Sequence, residues 1–400
     1  MLSNRRTTMN TASLIRTRRV RMLAAAGTIA ITALALTGCE ADSTGAASAG
    51  DSTSTAAADS ELATSVAALE KPLDAYPVPT EPVSDVSGAK GKVFYYIPVT
   101  SKSPQFAVTQ KTLTAALDSV GATVQVCDGE GTPTAIGACI TQGTQAQAAA
   151  IITDAIPYGI GQNAFDAAQA AGIPVIISNQ VIDDKHPASD TLAYIPAGGS
   201  AMQEALAKWI TLDSGAAADV LINQGTDGPA PAVFVAAGQA VYDSECPDCT
   251  ITINEVSSAN QSLIPSSTSS ALLKNPDITY VESQFQQYLQ PTQEGVQQSG
   301  VESIKGVTGS VLLGGLQQLQ AKNFLYAAAG QAAAFQGWVD ADAALRLIAG
   351  VELPEYSIPV RLFTQDTIAD VTLTEEAELS GEWYGPTDFP EQFSALWGVK

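Results

Sequence analysis

Few residues of this 400-residue chain could do chemistry: five cysteines, one histidine, and an apolar run, AGIPVIISNQ, that ends on two neutral amides, Asn179 and Gln180. His186 stands in the hydrophilic stretch DDKHPASD with no second imidazole to complete a metal site. The sequence has no G-x-S-x-G elbow, no phosphate-binding glycine loop and no cluster of metal ligands. Asp154, at the end of AAIITDA, has the type of a general base. One carboxylate at a strand end is more often an acceptor for a ligand or the backbone, so no enzyme, cofactor or metal is expected.

The cysteines divide by position. Cys127 and Cys139 flank a loop rich in Gly and Pro, where a local disulfide fits. Cys246-Pro-Asp-Cys249 has the spacing of a redox motif, but without a thioredoxin-like surround it reads as a small structural bridge. A zinc site would need the two pairs, over 100 residues apart, to converge. Cys39 follows six arginines and the apolar run Leu23 to Leu36, an n-region and an h-region too short for a bilayer span. Leu36-Thr37-Gly38-Cys39 resembles the lipobox of bacterial lipoproteins, which implies lipidation at Cys39 and export to the outer face of the cell membrane. A chance cysteine behind an ordinary signal is the alternative.

Setting aside residues 1–38 leaves 13 basic residues against 41 acidic ones, a formal charge of −28. Such a surface repels phosphate backbones, so nucleic acid is not expected as a partner.

The elements that position these residues begin late. Residues 39–89, with GAASAGDSTSTAAADS, are too poor in large apolar side chains to fold alone and read as a disordered linker, with a short helix over Leu62 to Leu69 that could dock. From Lys92, strand-length apolar runs alternate with amphipathic stretches. VFYYIPV, TVQVCD, AAIITDA and GIPVIIS are apolar on both faces, as in a parallel sheet covered by helices. The pattern restarts after LAYIPAGGS with VLINQG, ITINEV, ITYVES, IKGVTG, FLYAAAG and IPVRLF. About eleven strands are too many for one small sheet. The fold class is α/β, with two doubly wound lobes of similar size.

This order resembles the type I periplasmic binding proteins, and among them the sugar receptors of ABC importers. The likeness covers about Lys92 to Asp366 and rests on several motifs in sequence: Ser-Pro-Gln-Phe (103–106), AAGIPVIISNQ, NPDITYVES, GWVDADAALRLIAG, and the ending Leu396-Trp397-Gly398-Val399. It implies a hinge of three crossings, near Pro196, Gln331 and Thr364. Lobe one would be 90–196 plus 332–363, and lobe two 197–331 plus 364–400. It also implies a monomer that traps a ligand by closure and delivers it to an ABC permease. A lipoprotein that senses the ligand and signals to a membrane receptor is the alternative.

Ligands in such folds sit at the carboxyl ends of strands. The strand ends here offer Thr100, Ser101, Ser103 and Phe106, then Asp154 and Tyr158, then Asn179 and Gln180. The second lobe offers Phe234, Gln284, Phe285, Thr308 and, at the hinge, Gln331. The resemblance implies that Phe106 stacks on a ring and Gln331 bonds a hydroxyl; Phe106 reads equally as a core residue of an amphipathic helix. Sugar-binding relatives carry Asp-Arg at Asn179-Gln180, an arginine near Phe234 and an aspartate at Thr308. Replacing those ions with amides, apolar groups and a hydroxyl points to a small neutral organic ligand: a modified sugar, a polyol, or a cyclic or aromatic compound.

Overall fold

The computed structural model describes residues 51–83 and 85–399; Cys39 and the expected signal segment lie outside them. The chain runs through α1 (Asp51–Leu69), β1 (Val93–Pro98), α2 (Pro104–Ser119), β2 (Thr123–Val126), α3 (Pro133–Gln145), β3 (Ile151–Asp154), α4 (Tyr158–Ala170), β4 (Val175–Gln180) and β5 (Leu192–Pro196). The five strands form a parallel sheet in the order β2-β1-β3-β4-β5. There follow α5 (Gly199–Ser214), β6 (Asp219–Gly225), α6 (Ala230–Glu245), β7 (Thr250–Val256), α7 (Ile264–Lys274), β8 (Tyr280–Ser283), α8 (Leu289–Ser299), β9 (Lys305–Thr308), α9 (Leu313–Gln320) and β10 (Leu325–Gln331). After α10 (Ala333–Ala349) comes β11 (Val360–Thr364), then α11 (Glu375–Ser380) and α12 (Phe389–Leu396). The second sheet has the order β11-β10-β9-β8-β6-β7, parallel except where β11 pairs antiparallel with β10.

The lobes follow from the apolar runs. All four residues of β3, and all of β1 after Val93, are buried, because helices cover both sheet faces and each side chain must find apolar company. Helix starts carry their own signals: Pro104 opens α2 at its first position, and Thr132 caps α3 by accepting from the Ala135 N–H. In α10 every residue from Ala333 to Arg346 is buried. Its Gly337 lets the helix lie directly on α2, since a Cβ there would meet Thr112 Oγ1 at 2.2 Å.

Two expected boundaries are corrected. The third crossing falls in residues 350–359, between α10 and β11, not near Thr364. The ladder to β10 draws β11 into the second sheet, where Leu362 joins that lobe's core. The tail divides: Gln365 and Tyr384 stay with lobe two, the first donating its N–H to the Tyr326 carbonyl and the second edge-on to Phe363, while α12 returns to lobe one. Trp338 of α10 stacks on Trp397 with centroids 5.6 Å apart, and Phe335 meets Phe389 edge-on at 5.5 Å. Aromatic faces of that size outweigh chain proximity in deciding where a tail docks.

The expected disordered linker also proves structured over its described part. Val66 of α1 is buried against the second lobe's core. Beyond α1 the chain crosses to the first lobe, where Tyr76 stacks on Phe335 at 4.7 Å and the Val83 N–H donates to the Leu396 carbonyl at 2.9 Å. Few but well-placed large side chains compensate for the poor composition, each burial contributing roughly 1.5–3 kcal/mol. Arg361 of β11 fastens both ends of the chain, donating from Nε to the Glu70 carbonyl at 2.8 Å and from Nη1 to the Trp383 carbonyl at 2.6 Å.

Disulfides join Cys127 to Cys139 and Cys246 to Cys249. Among the described residues no helix is long and apolar enough to cross a membrane.

Candidate functional site

The ends of β1, β4, β6, β9 and β10 and the starts of α2, α3, α5 and α6 surround a cavity of about 430 Å³ between the lobes. Strand ends converge there because both sheets are parallel and change direction at a central strand.

Asn179 and Gln180 both line it, although consecutive strand residues ordinarily face opposite ways. A bulge resolves this. The pairing of β4 with β5 shifts register between Ser178 and Gln180, and Asn179 takes a left-handed φ of 56°. Asparagine tolerates that region better than most side chains.

The two amides then part company. Gln180 is 6% exposed and its Oε1 has no hydrogen-bond partner. Asn179 turns toward the hinge, where its Oδ1 accepts from Gln331 Nε2 at 3.4 Å. Gln331 is likewise spent on the protein. Its Oε1 accepts from the Gly198 N–H at 3.0 Å, and its Nε2 donates to Gln336 Oε1 at 2.8 Å. These bonds make Gln331 a clamp on the hinge at the cavity wall.

Below the floor, Asp154 and Asp340 are fully buried. Tyr96 donates to Asp154 Oδ2 at 2.7 Å, Ser178 donates to Asp340 Oδ1 at 2.6 Å, and Gln336 Nε2 donates to Ser178 Oγ at 3.0 Å. Burial pushes the Asp154 carboxyl up to about 7, against hydrogen bonds from Tyr96, Asn179 and Gln336. Burial, reinforced by the neighbouring charge of Asp154, drives Asp340 up as well.

Seven of the residues named from sequence reach the cavity wall: Ser103, Phe106, Asn179, Gln180, Phe234, Phe285 and Gln331, with Thr100 beside them. Five do not. Ser101 is exposed in a turn whose N–H donates to Asp128 Oδ1 at 2.9 Å. Asp154 lies beneath the floor. The Tyr158 hydroxyl donates to Asp166 at 2.6 Å, and its ring stacks on His186 at 4.0 Å on the flank of lobe one. Gln284 is turned to the backbone, its Oε1 accepting from the Gly225 N–H and its Nε2 donating to the Pro231 carbonyl, both at 2.7 Å. Thr308 donates to the Ser283 carbonyl at 3.0 Å. Polar strand ends serve the turn that follows as readily as a ligand.

Sequence reasoning missed Gln105, Met202, Pro231 and Ser310 on the wall. Gln105 stood inside the Ser-Pro-Gln-Phe motif, and Met202 lies in the first turn of the helix after the first crossing. The wall's charges sit at its margin. Lys102 and Glu130 are exposed. Burial raises the Asp227 carboxyl, but bonds from Ser257, Ser258 and Tyr288 outweigh it and hold the group below the usual range.

Residues 94–352, well over half of the chain, match the family model described as "Periplasmic binding protein domain". No curated protein sequence matches the chain. Among solved structures, the 5-methylthioribose transporter solute binding protein from Thermotoga lettingae, in complex with 5-methylthioribose, superposes with a TM-score of 0.66 at 18% identity, over 80% of this chain and 99% of that one. A Mycobacterium smegmatis protein in complex with β-D-fucofuranose gives 0.64 at 18%, over 74% and 98%. An Agrobacterium vitis ABC transporter solute binding protein bound with α-D-tagatopyranose gives 0.63 at 19%, over 70% and 97%. At such identities the likeness is one of fold.

Proposed function

Because the chain belongs to the periplasmic binding protein family, with the two-lobed type I fold, we propose that it is the extracytoplasmic solute-binding component of an ABC importer for a small, neutral, sugar-like or cyclic ligand. The observation that carries the neutral reading is the deep wall of the cavity. Its buried side chains, Ser103, Gln105, Phe106, Gln180, Met202, Pro231 and Phe234, hold no formal charge. A charged solute there would lose its hydration without a counter-ion. The sugars named for the similar structures, 5-methylthioribose and tagatopyranose, are neutral too. Closure of the lobes over the ligand would present a permease with one defined surface. Lipidation at Cys39 would keep the protein at the membrane; a sensing role through a membrane receptor would use the same closure.

The test is a thermal-shift screen of neutral sugars, polyols and cyclic compounds against dicarboxylates and basic amino acids. A ligand at 100 times its Kd should stabilise the protein by about 2.7 kcal/mol. A shift confined to charged solutes would overturn the reading.

A further inference from the structure

We infer that the ligand is two-faced: a small hydroxylated ring that carries an apolar alkyl or aryl substituent, with its hydroxyls on lobe one and the substituent on lobe two. This rests on the solute-binding reading above and concerns which solute.

Phe106 and Ile136 give lobe one an apolar part as well, but the buried amides and hydroxyls left open to a ligand lie mainly on that lobe. On lobe one, Ser103, Gln105 and Gln180 are 7%, 5% and 6% exposed and line the cavity. The buried Oε1 of Gln180 has no partner, an arrangement that costs free energy until a donor arrives. On lobe two Met202, Ala230, Pro231 and Phe234 form an apolar patch; beside it the Tyr288 hydroxyl is taken up by Ser258 and Asp227, Gln331 is held at the hinge, and Ser310 adds one buried hydroxyl. The Met202 sulfur itself takes the Ser310 N–H at 3.3 Å. Gly199 makes this face possible: a Cβ there would stand 2.3 Å from Cδ2 of Phe234, so only glycine lets that ring lie against the start of α5.

A ligand hydroxylated on every side would leave some hydroxyls unpaired against Met202, Pro231 and Phe234, and each unpaired group weakens binding. Size agrees. The cavity, about 430 Å³, has room for roughly fourteen waters at about 30 Å³ each. A hexose has about twelve heavy atoms, each smaller than a water's share of the liquid. The free sugar therefore leaves space beside the apolar wall, which a substituent of a few carbons fills.

The experiment is calorimetric titration of the full chain with free pentoses and hexoses and with the butyl and phenyl glycosides of the same sugars. Glycosides are expected to bind at least about tenfold tighter than the parent sugar, from burial of the substituent. Phe234→Leu should reduce that ratio, and Phe234→Ala should bring it near one. Met202→Gln, close in shape and so tolerated by the fold, should shift the preference toward free sugars. Free sugars binding as tightly as their glycosides would overturn the two-faced ligand and leave solute binding standing. No binding by either set, with a cooperative melt proving the protein folded, would overturn both.

Discussion

Gln331, the last residue of the second lobe's β10, donates from Nε2 to Oε1 of Gln336 in the first lobe's α10 at 2.8 Å, while its own Oε1 takes the Gly198 N–H where the chain first crosses between lobes. One side chain thus pins two hinge strands together at the edge of the cavity. Gln331→Ala leaves the Gly198 donor and the Gln336 acceptor unmet and should cost about 1–3 kcal/mol of stability. Weakened ligand binding should accompany this. Urea titration of the ligand-free protein separates the cases: an unchanged midpoint would mean that the amide belongs to the ligand.

The Asp154 and Asp340 pair makes stability depend on pH. Among the described residues no Lys, Arg or His bonds either carboxylate; Tyr96, Ser178 and Gln336 are the partners. Both folded-state pKa values lie above the unfolded value of about 3.9. The folded protein therefore holds protons that the unfolded chain gives up. Stability from this pair is fullest below about pH 4 and is lost as pH rises, for Asp154 through about 7. Asp340→Asn should raise the melting temperature more at pH 8 than at pH 5. Equal shifts at the two pH values would count against the linkage.

Arg361 fastens both chain ends through a fork of two donors. Lysine keeps the charge but has no planar fork, so Arg361→Lys should lose one of the two carbonyl contacts and cost about 1–3 kcal/mol. Hydrogen exchange should rise at residues 70–76 and 381–384 in the variant. Protection there as in the parent would show that stacking of Tyr76 alone holds the segment.

The disulfides differ in reach. With a sequence separation of 12, the Cys127 to Cys139 bridge should contribute about 3 kcal/mol by restricting the unfolded chain. The Cys246 to Cys249 loop, of separation 3, should contribute about 2. Paired Ser substitutions, compared by chemical denaturation, should keep that order.

The alternation of strands and helices was legible because burial on both faces writes itself as continuous apolar runs. The sheet that receives a strand was not: IPVRLF reads as a strand, but nothing in it names β10 as its neighbour. Val66, Tyr76 and Val83 lie too far apart in a polar stretch to signal order, and they find partners only in the assembled lobes. At the cavity, residue type was readable and direction was not. Asn179 and Gln180 look alike in sequence; one bulge sends the first to the protein and the second to the cavity. Gln284 and Thr308 had the chemistry of ligand contacts, and the backbone claimed them.

With α1 held by the second lobe and Tyr76 by the first, the chain leaving one end of the molecule closes a ring around its own pivot. From Glu70 to Tyr76 the path is six residues, which extend to at most about 20 Å. Midway, the Leu73 N–H donates to the Tyr384 carbonyl at 2.8 Å, which ties the segment down again. A link this short would limit how far the lobes could part, and lengthening it by a few glycines is expected to weaken ligand capture without touching a single contact in the cavity.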